Sequence, residues 1–154
     1  ETPTLKSFAM TAGRYLRLLR EGVIVDSTDI YITEIDKARL KELIELEQGP
    51  AVVELEHELE RAIVVKPQQV ARNVVTMNSR ALLQLDDEEM EVALVYPEDA
   101  DSSAGKFSVC SDVGAAILGY QEGDNIDWRI SDRTRRIGIR KVLYQPEAAG
   151  DFHL

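Results

Sequence analysis

Cysteine is nearly absent from the 154 residues. Cys110 stands alone, which excludes an internal disulfide and a cysteine-based zinc site and fits a reducing compartment. Histidine is as scarce: His57 and His153 are remote in sequence from Cys110, so a Cys-His nucleophile has no local support. No glycine-rich phosphate loop and no His-x-x-x-His pair occurs, and no cofactor is expected. Apolar runs such as Ala51-Val52-Val53 fall far short of a membrane span. The N-terminus lacks an apolar signal-peptide core, so the expected location is the cytoplasm. Bases are in deficit, with 18 Lys and Arg against 28 Asp and Glu and a net charge of −10. Such an excess repels a phosphate backbone, and direct sequence-specific nucleic-acid binding is not expected.

What remains is globular in character. A chain that is 44% hydrophobic and 30% charged can build a packed core, and its length suits one domain, or a small domain with an appendage. Residues 1–29 read as a flexible leader interrupted by Pro3, Gly13 and Gly22, with Met10 a candidate internal start. From Thr33 the pattern turns helical. Thr33-Glu34-Ile35-Asp36 resembles a capping box, and Ile35, Leu40, Leu43 and Ile44 form an apolar stripe. Gln48-Gly49-Pro50 supplies a stop and a restart, after which Leu55, Leu59, Ala62 and Ile63 form a second stripe. Two stripes so closely linked predict an antiparallel helical hairpin, a short coiled coil within residues 30–66. With nine acids against three bases between Glu34 and Glu60, it is expected to be an acidic projection.

After Lys66-Pro67 the period becomes extended. Strands are predicted at Val74-Val75, around Leu82, from Met90 to Tyr96, from Phe107 to Val109, around Trp128, and from Ile137 to Val142. One short helix lies between Asp112 and Gly119, and Gly123-Asp124 turns the chain. The fold class is therefore α+β: the hairpin, then an antiparallel sheet with one helix over residues 67–154.

Candidate chemistry is thin. Asp99, Asp101 and Ser103 imitate a calcium loop, but Ala104 stands at the glycine position and Cys110 at that of the bidentate glutamate; a solvated turn is expected. Asp86-Asp87-Glu88-Glu89 reads as a polar hairpin loop. The bases Arg129, Arg133, Arg135, Arg136, Arg140 and Lys141 read either as a solvated strand face offsetting the sheet's own acids or as a docking surface. At the hairpin tip, Glu45, Glu47 and Glu54 flank the Gly49-Pro50 turn. Carboxylates delivered on a rod can hold a magnesium ion in another protein's active site.

Four segments carry a family likeness: Val74-Val75-Thr76-Met77-Asn78-Ser79-Arg80, Leu94 to Ala100, Val113 to Gly119, and Tyr144-Gln145-Pro146-Glu147-Ala148-Ala149-Gly150-Asp151. Together they resemble the Rnk proteins, regulators of nucleoside diphosphate kinase, within the GreA/GreB transcription elongation factor family. The resemblance runs from about Ile30 to Leu154. It implies an FKBP-like C-terminal domain bearing a coiled-coil hairpin, a monomer, and binding to bacterial RNA polymerase near its secondary channel. It further implies competition with Gre factors without transcript cleavage. The family's docking segment falls on Cys110 to Ala116, which makes Ser111, Asp112, Val113 and Ala116 the polymerase-binding candidates; Asp112 replaces the usual proline. Ser131-Asp132-Arg133-Thr134 replaces the usual Pro-Gly-Gly turn, so a different loop is expected there. The alternatives are an active cleavage factor, and a prolyl isomerase using Tyr96, Phe107, Trp128 and Tyr144.

Overall fold

The computed structural model describes residues 29–130 and 133–154; all of the expected leader but Asp29, and part of the Ser131 to Thr134 loop, lie outside the described residues. The chain enters through strand β1 (Tyr31–Thr33), and Thr33 caps helix α1 (Glu34–Leu46) by accepting the Asp36 N–H at Oγ1, 3.1 Å away. Glu47, Gln48 and Gly49 make the turn, with Gly49 at φ 129°, a value costly for any other residue. Pro50 then opens helix α2 (Pro50–Arg61), where its missing N–H leaves nothing unsatisfied.

The stripes are partly as expected. Leu40, Leu55 and Leu59 are buried, and Leu43 and Ile44 pack half-buried beside them. Ile35 is exposed instead, and the inward position belongs to Asp36. Ile63 has left the helix to begin strand β2 (Ile63–Val65), which pairs in parallel with β1 in the register Tyr31↔Ile63. Parallel strands need a crossover of a dozen or more residues, and here the helix pair is that crossover.

The helix pair is not a free projection, which corrects the sequence expectation. Its leucines share one apolar cluster with Leu83, Leu94 and Ile139 of the sheet, and α2 runs against helix α3 (Asp112–Ile117). Ala51, Val52, Leu55, Glu58 and Leu59 are all buried on α2, a face wider than the seam between two helices. The surplus width is covered by the body of the protein.

The sheet has the order β5-β4-β3-β7-β6, from strands β3 (Arg80–Leu85), β4 (Glu88–Val95), β5 (Lys106–Ser108), β6 (Asn125–Ile130) and β7 (Arg133–Tyr144). It is mostly antiparallel. The exception is β5, which pairs in parallel with β4 (Leu94↔Phe107) because residues 96–105 form a crossover of short 3₁₀ turns rather than a hairpin. Val74-Val75 is not a strand. Its backbone is satisfied by a single bridge to Gln121 and by the Val75 N–H donated to Tyr120 O, and both valines are buried in a loop. A helix unforeseen in the sequence, α4 (Pro146–Ala149), follows β7.

Gly119 marks where β1 meets the end of α3. At φ 85° it accepts the Tyr31 N–H and donates to Val75 O, and a Cβ there would lie 2.8 Å from the Ile30 Cβ. The N-terminal strand is thereby fixed on the C-terminal part by backbone contact that no other residue permits.

Candidate functional site

The turn leading into α3 is held by three serine contacts. Ser108 Oγ accepts the Cys110 N–H at 2.9 Å; Ser111 Oγ donates to Ser108 O at 2.6 Å and accepts the Gly114 N–H at 3.2 Å, capping the helix. Gly114 sits so close to the incoming strand that a Cβ would lie 2.0 Å from Ser108 O. Asp112 occupies the first helical position, where proline is also favoured and where a carboxylate faces the positive end of the helix. The turn is thus held by serine hydrogen bonds, with no proline in it.

Of the expected docking residues, Ser111, Asp112 and Val113 reach the surface half-exposed. Ala116 does not. It is fully buried in the core on the inner side of α3, because α3 covers the sheet with that side, and it makes no external contact.

At the turn between α1 and α2, Glu45 and Glu47 are exposed and Glu54 is half-buried. They do not converge on one point. Glu45 lines the groove between the two helices with Lys41, Ile44 and Glu56, and neither Glu47 nor Glu54 lines it. The Cys110 thiol is pushed up by burial and then by the negative charge of Glu47. Cys110 itself is a half-buried free thiol.

A second polar centre was only partly legible in the sequence. Asp36, read there as a capping residue, is buried on α1 and accepts the Met77 N–H at 3.2 Å, tying the helix to the loop before β3. Burial pushes its carboxyl up to about 6, with Glu147 nearby raising it and the Met77 N–H and Arg39 opposing. Glu147 accepts from Thr76 Oγ1 at 2.7 Å, and Thr76 and Ser79 are joined through their hydroxyls. The Tyr96 hydroxyl is raised by burial and by the charge of Asp36. Gln145 donates through Nε2 to Ala71 O at 2.7 Å and Val74 O at 2.8 Å. Two of the segments that carried the family likeness, 74–80 and 144–151, thus bind each other. The Arg80 guanidinium over the Tyr144 ring, 5.5 Å from its centre, completes the seam.

The remaining candidates fall to plain roles. Arg135 pairs with Asp86 at 3.1 Å, Arg136 with Asp127 at 3.3 Å and Arg140 with Glu89 at 3.7 Å, so these bases offset acids of the sheet itself. The Asp101 carboxylate, lowered chiefly by its bond from the Ser103 hydroxyl, belongs to a solvated turn. Trp128 is in the core, with Tyr96 and Phe107 packed against it, while the Tyr144 hydroxyl bonds Asp151. Among the described residues no helix is long and apolar enough to cross a membrane.

This architecture has relatives. Residues 28–65 match the family model described as Rnk N-terminus, and residues 69–144 match that described as Transcription elongation factor, GreA/GreB, C-term. The chain belongs to the GreA/GreB transcription elongation factor family, in its Rnk branch. Over 131 residues it is 38% identical to the Regulator of nucleoside diphosphate kinase of Escherichia coli K12, covering 81% of this chain and 96% of that one. It is 30% identical over 96 residues to the transcription elongation factor GreA of Thermodesulfovibrio yellowstonii, with 61% of each chain covered. Among solved structures it is similar to a prokaryotic GreA/GreB transcription elongation factor from Nitrosomonas europaea. That likeness has a TM-score of 0.65 and 39% identity, and covers 77% of this chain and all of the other.

Proposed function

We propose that this chain is a cytoplasmic, monomeric regulator of the Rnk type that binds bacterial RNA polymerase near its secondary channel and competes there with Gre factors, without catalysis of its own. In this reading residues 30–66 are a short coiled-coil hairpin and residues 67–154 an FKBP-like domain that docks through Ser111, Asp112 and Val113. One observation supports it: α2 lies against α3, with Ala51 and Val52 buried, and the leucines of both helices share the core of the sheet. Helices of 13 and 12 residues span about 20 Å at ~1.5 Å per residue. Held against the body, they leave Glu45, Glu47 and Glu54 no long rod on which to travel. A magnesium ion accepts carboxylate oxygens only at about 2.0–2.1 Å, so a shortfall of one helical turn, about 5.4 Å, is enough to prevent catalysis.

The test is RNA cleavage by backtracked polymerase with this protein alone, with Gre factor alone, and with both at rising ratios. The expected result is no cleavage alone and progressive loss of Gre activity in the mixture. Cleavage by this protein alone that disappears in Glu45→Ala/Glu47→Ala overturns the reading in favour of a cleavage factor.

A further inference from the structure

Two carboxylates far apart in the chain are held on one dipeptide. Asp36 of α1, 4% exposed, accepts the Met77 N–H at 3.2 Å, and Glu147 of α4 accepts the neighbouring Thr76 hydroxyl at 2.7 Å. Asp36 cannot leave, because α1 is anchored by the fully buried Leu40. Glu147 can. α4 is a single turn in which Ala148 and Ala149 are exposed, as is Gly150 after it, and Phe152 and Leu154 further on are exposed too. The segment is rooted before that turn, where the buried Gln145 binds the Ala71 and Val74 carbonyls and Pro146 is buried beside it. Past Pro146 it is tied down by the Thr76–Glu147 bond, by the Tyr144 hydroxyl on Asp151 and by Arg39 Nη1, which donates to the Leu154 carbonyl at 2.9 Å.

We propose that Asp36 and Glu147 form a proton-operated latch: a proton on Asp36 holds residues 147–154 against α1 and the loop before β3, and two charged carboxylates release that segment about a hinge at Pro146. Thr76 and Met77 are both buried, so water screens the pair poorly. The repulsion is relieved by moving the charge on the lightly held segment. The other groups facing Asp36 do not cancel it. On its own helix these are the Thr33 hydroxyl and Arg39, and from the residue after β4 comes the Tyr96 hydroxyl, raised by burial and therefore neutral. Arg39 opposes the repulsion, but its Nη1 is committed to the segment that would be released. Burial, with Glu147 adding to it, lifts the Asp36 carboxyl to about 6. Release exposes Asp36 and returns it towards 3.8, so protons favour the latched form. The latch is full below the released value and is lost as pH rises through about 6.

The experiment follows backbone amide exchange of the full-length chain by NMR, corrected for the intrinsic exchange rate, at about pH 5 and about pH 7.5. The reporters are the N–H groups of Ala148, Gly150 and Asp151, bonded to Gln145 Oε1, Glu147 O and Pro146 O, with amides of β3 as the core reference. In the wild type, opening at the reporters is expected to rise about tenfold, which is one pH unit of titration between about pH 5 and about 6, and to stay more frequent than opening of β3 throughout. Asp36→Asn, which keeps an acceptor for Met77, is expected to abolish the rise. Glu147→Gln, which keeps one for Thr76, is expected to reduce it, and Glu60→Gln, at an exposed acid of α2, to retain it. Chemical-shift dispersion confirms that each variant is folded. Opening independent of pH in the wild type overturns the latch, as does an undiminished rise in Asp36→Asn or in Glu147→Gln. Reporters no more open than β3 place the effect in unfolding of the whole chain and equally overturn it. A rise lost also in Glu60→Gln marks a general charge effect and does the same.

Discussion

Asp36 is the residue whose role changed most between sequence and structure. A carboxylate one turn into a helix is ordinarily a cap, but here it is drawn inward to receive Met77 N–H, and its carboxyl titrates near 6 instead of 3.8. A folded-state pKa above the unfolded one means that the neutral form is favoured by folding. The stability associated with Asp36 is thus full below about pH 4 and declines as pH rises towards about 6. Asp36→Asn keeps an acceptor for Met77 and removes the charge. It is expected to be as stable as the wild type or more so at pH 7, by up to about 3 kcal/mol, and to lose the Asp36 contribution to the slope between about pH 4 and 6. Urea unfolding of both proteins across that range measures it, and identical slopes would count against a buried titrating Asp36. Gln145 is the neutral counterpart. Its amide serves two loop carbonyls, Ala71 O and Val74 O, and Gln145→Ala should lower stability by about 1–3 kcal/mol, read from the urea midpoint.

At the scale of elements, α3 shows how little room the fold leaves. Only glycine fits where α3 passes Ser108, since an added Cβ 2.0 Å from a backbone carbonyl oxygen can be relieved only by moving the helix. Gly114→Ala is therefore expected to cost about 3 kcal/mol or more, detected as a lowered thermal midpoint, although alanine is the better helix former. Asp112→Pro at the adjacent first position should stay within about 1 kcal/mol of the wild type, because proline is suited to that site. Within the helix pair, Leu59→Ala opens a cavity in the cluster shared with the sheet and should cost about 2–4 kcal/mol. Because the pair and the sheet bury their leucines together, that loss is expected in one cooperative transition. A separate early melting of helical signal would show instead that the helix pair stands alone.

Taken as a whole, the molecule is acidic, with a net charge of −10. Three arginines of β7 face acids of the sheet, and exposed pairs of this kind contribute about 0–1 kcal/mol each. Arg135→Glu/Arg136→Glu is accordingly expected to alter stability modestly and to leave polymerase binding intact, whereas Asp112→Lys weakens it. The opposite pattern in a binding titration would move the docking face to β7. Much of this was determined by the sequence alone: two helices of this length joined at Gly49-Pro50, an extended C-terminal half with one helix ending before Gly119, and the family. These follow from apolar period, capping residues and turn chemistry, which act over a few neighbours and are written in them. The parallel pairing of β1 with β2 and of β4 with β5, the burial of Asp36 and Ala116, and the seating of α2 on α3 were decided only by the tertiary structure. Each depends on which surfaces meet across tens of residues. A buried face wider than its nearest partner specifies that something must cover it, but not what, and the covering element is chosen only when the whole core closes.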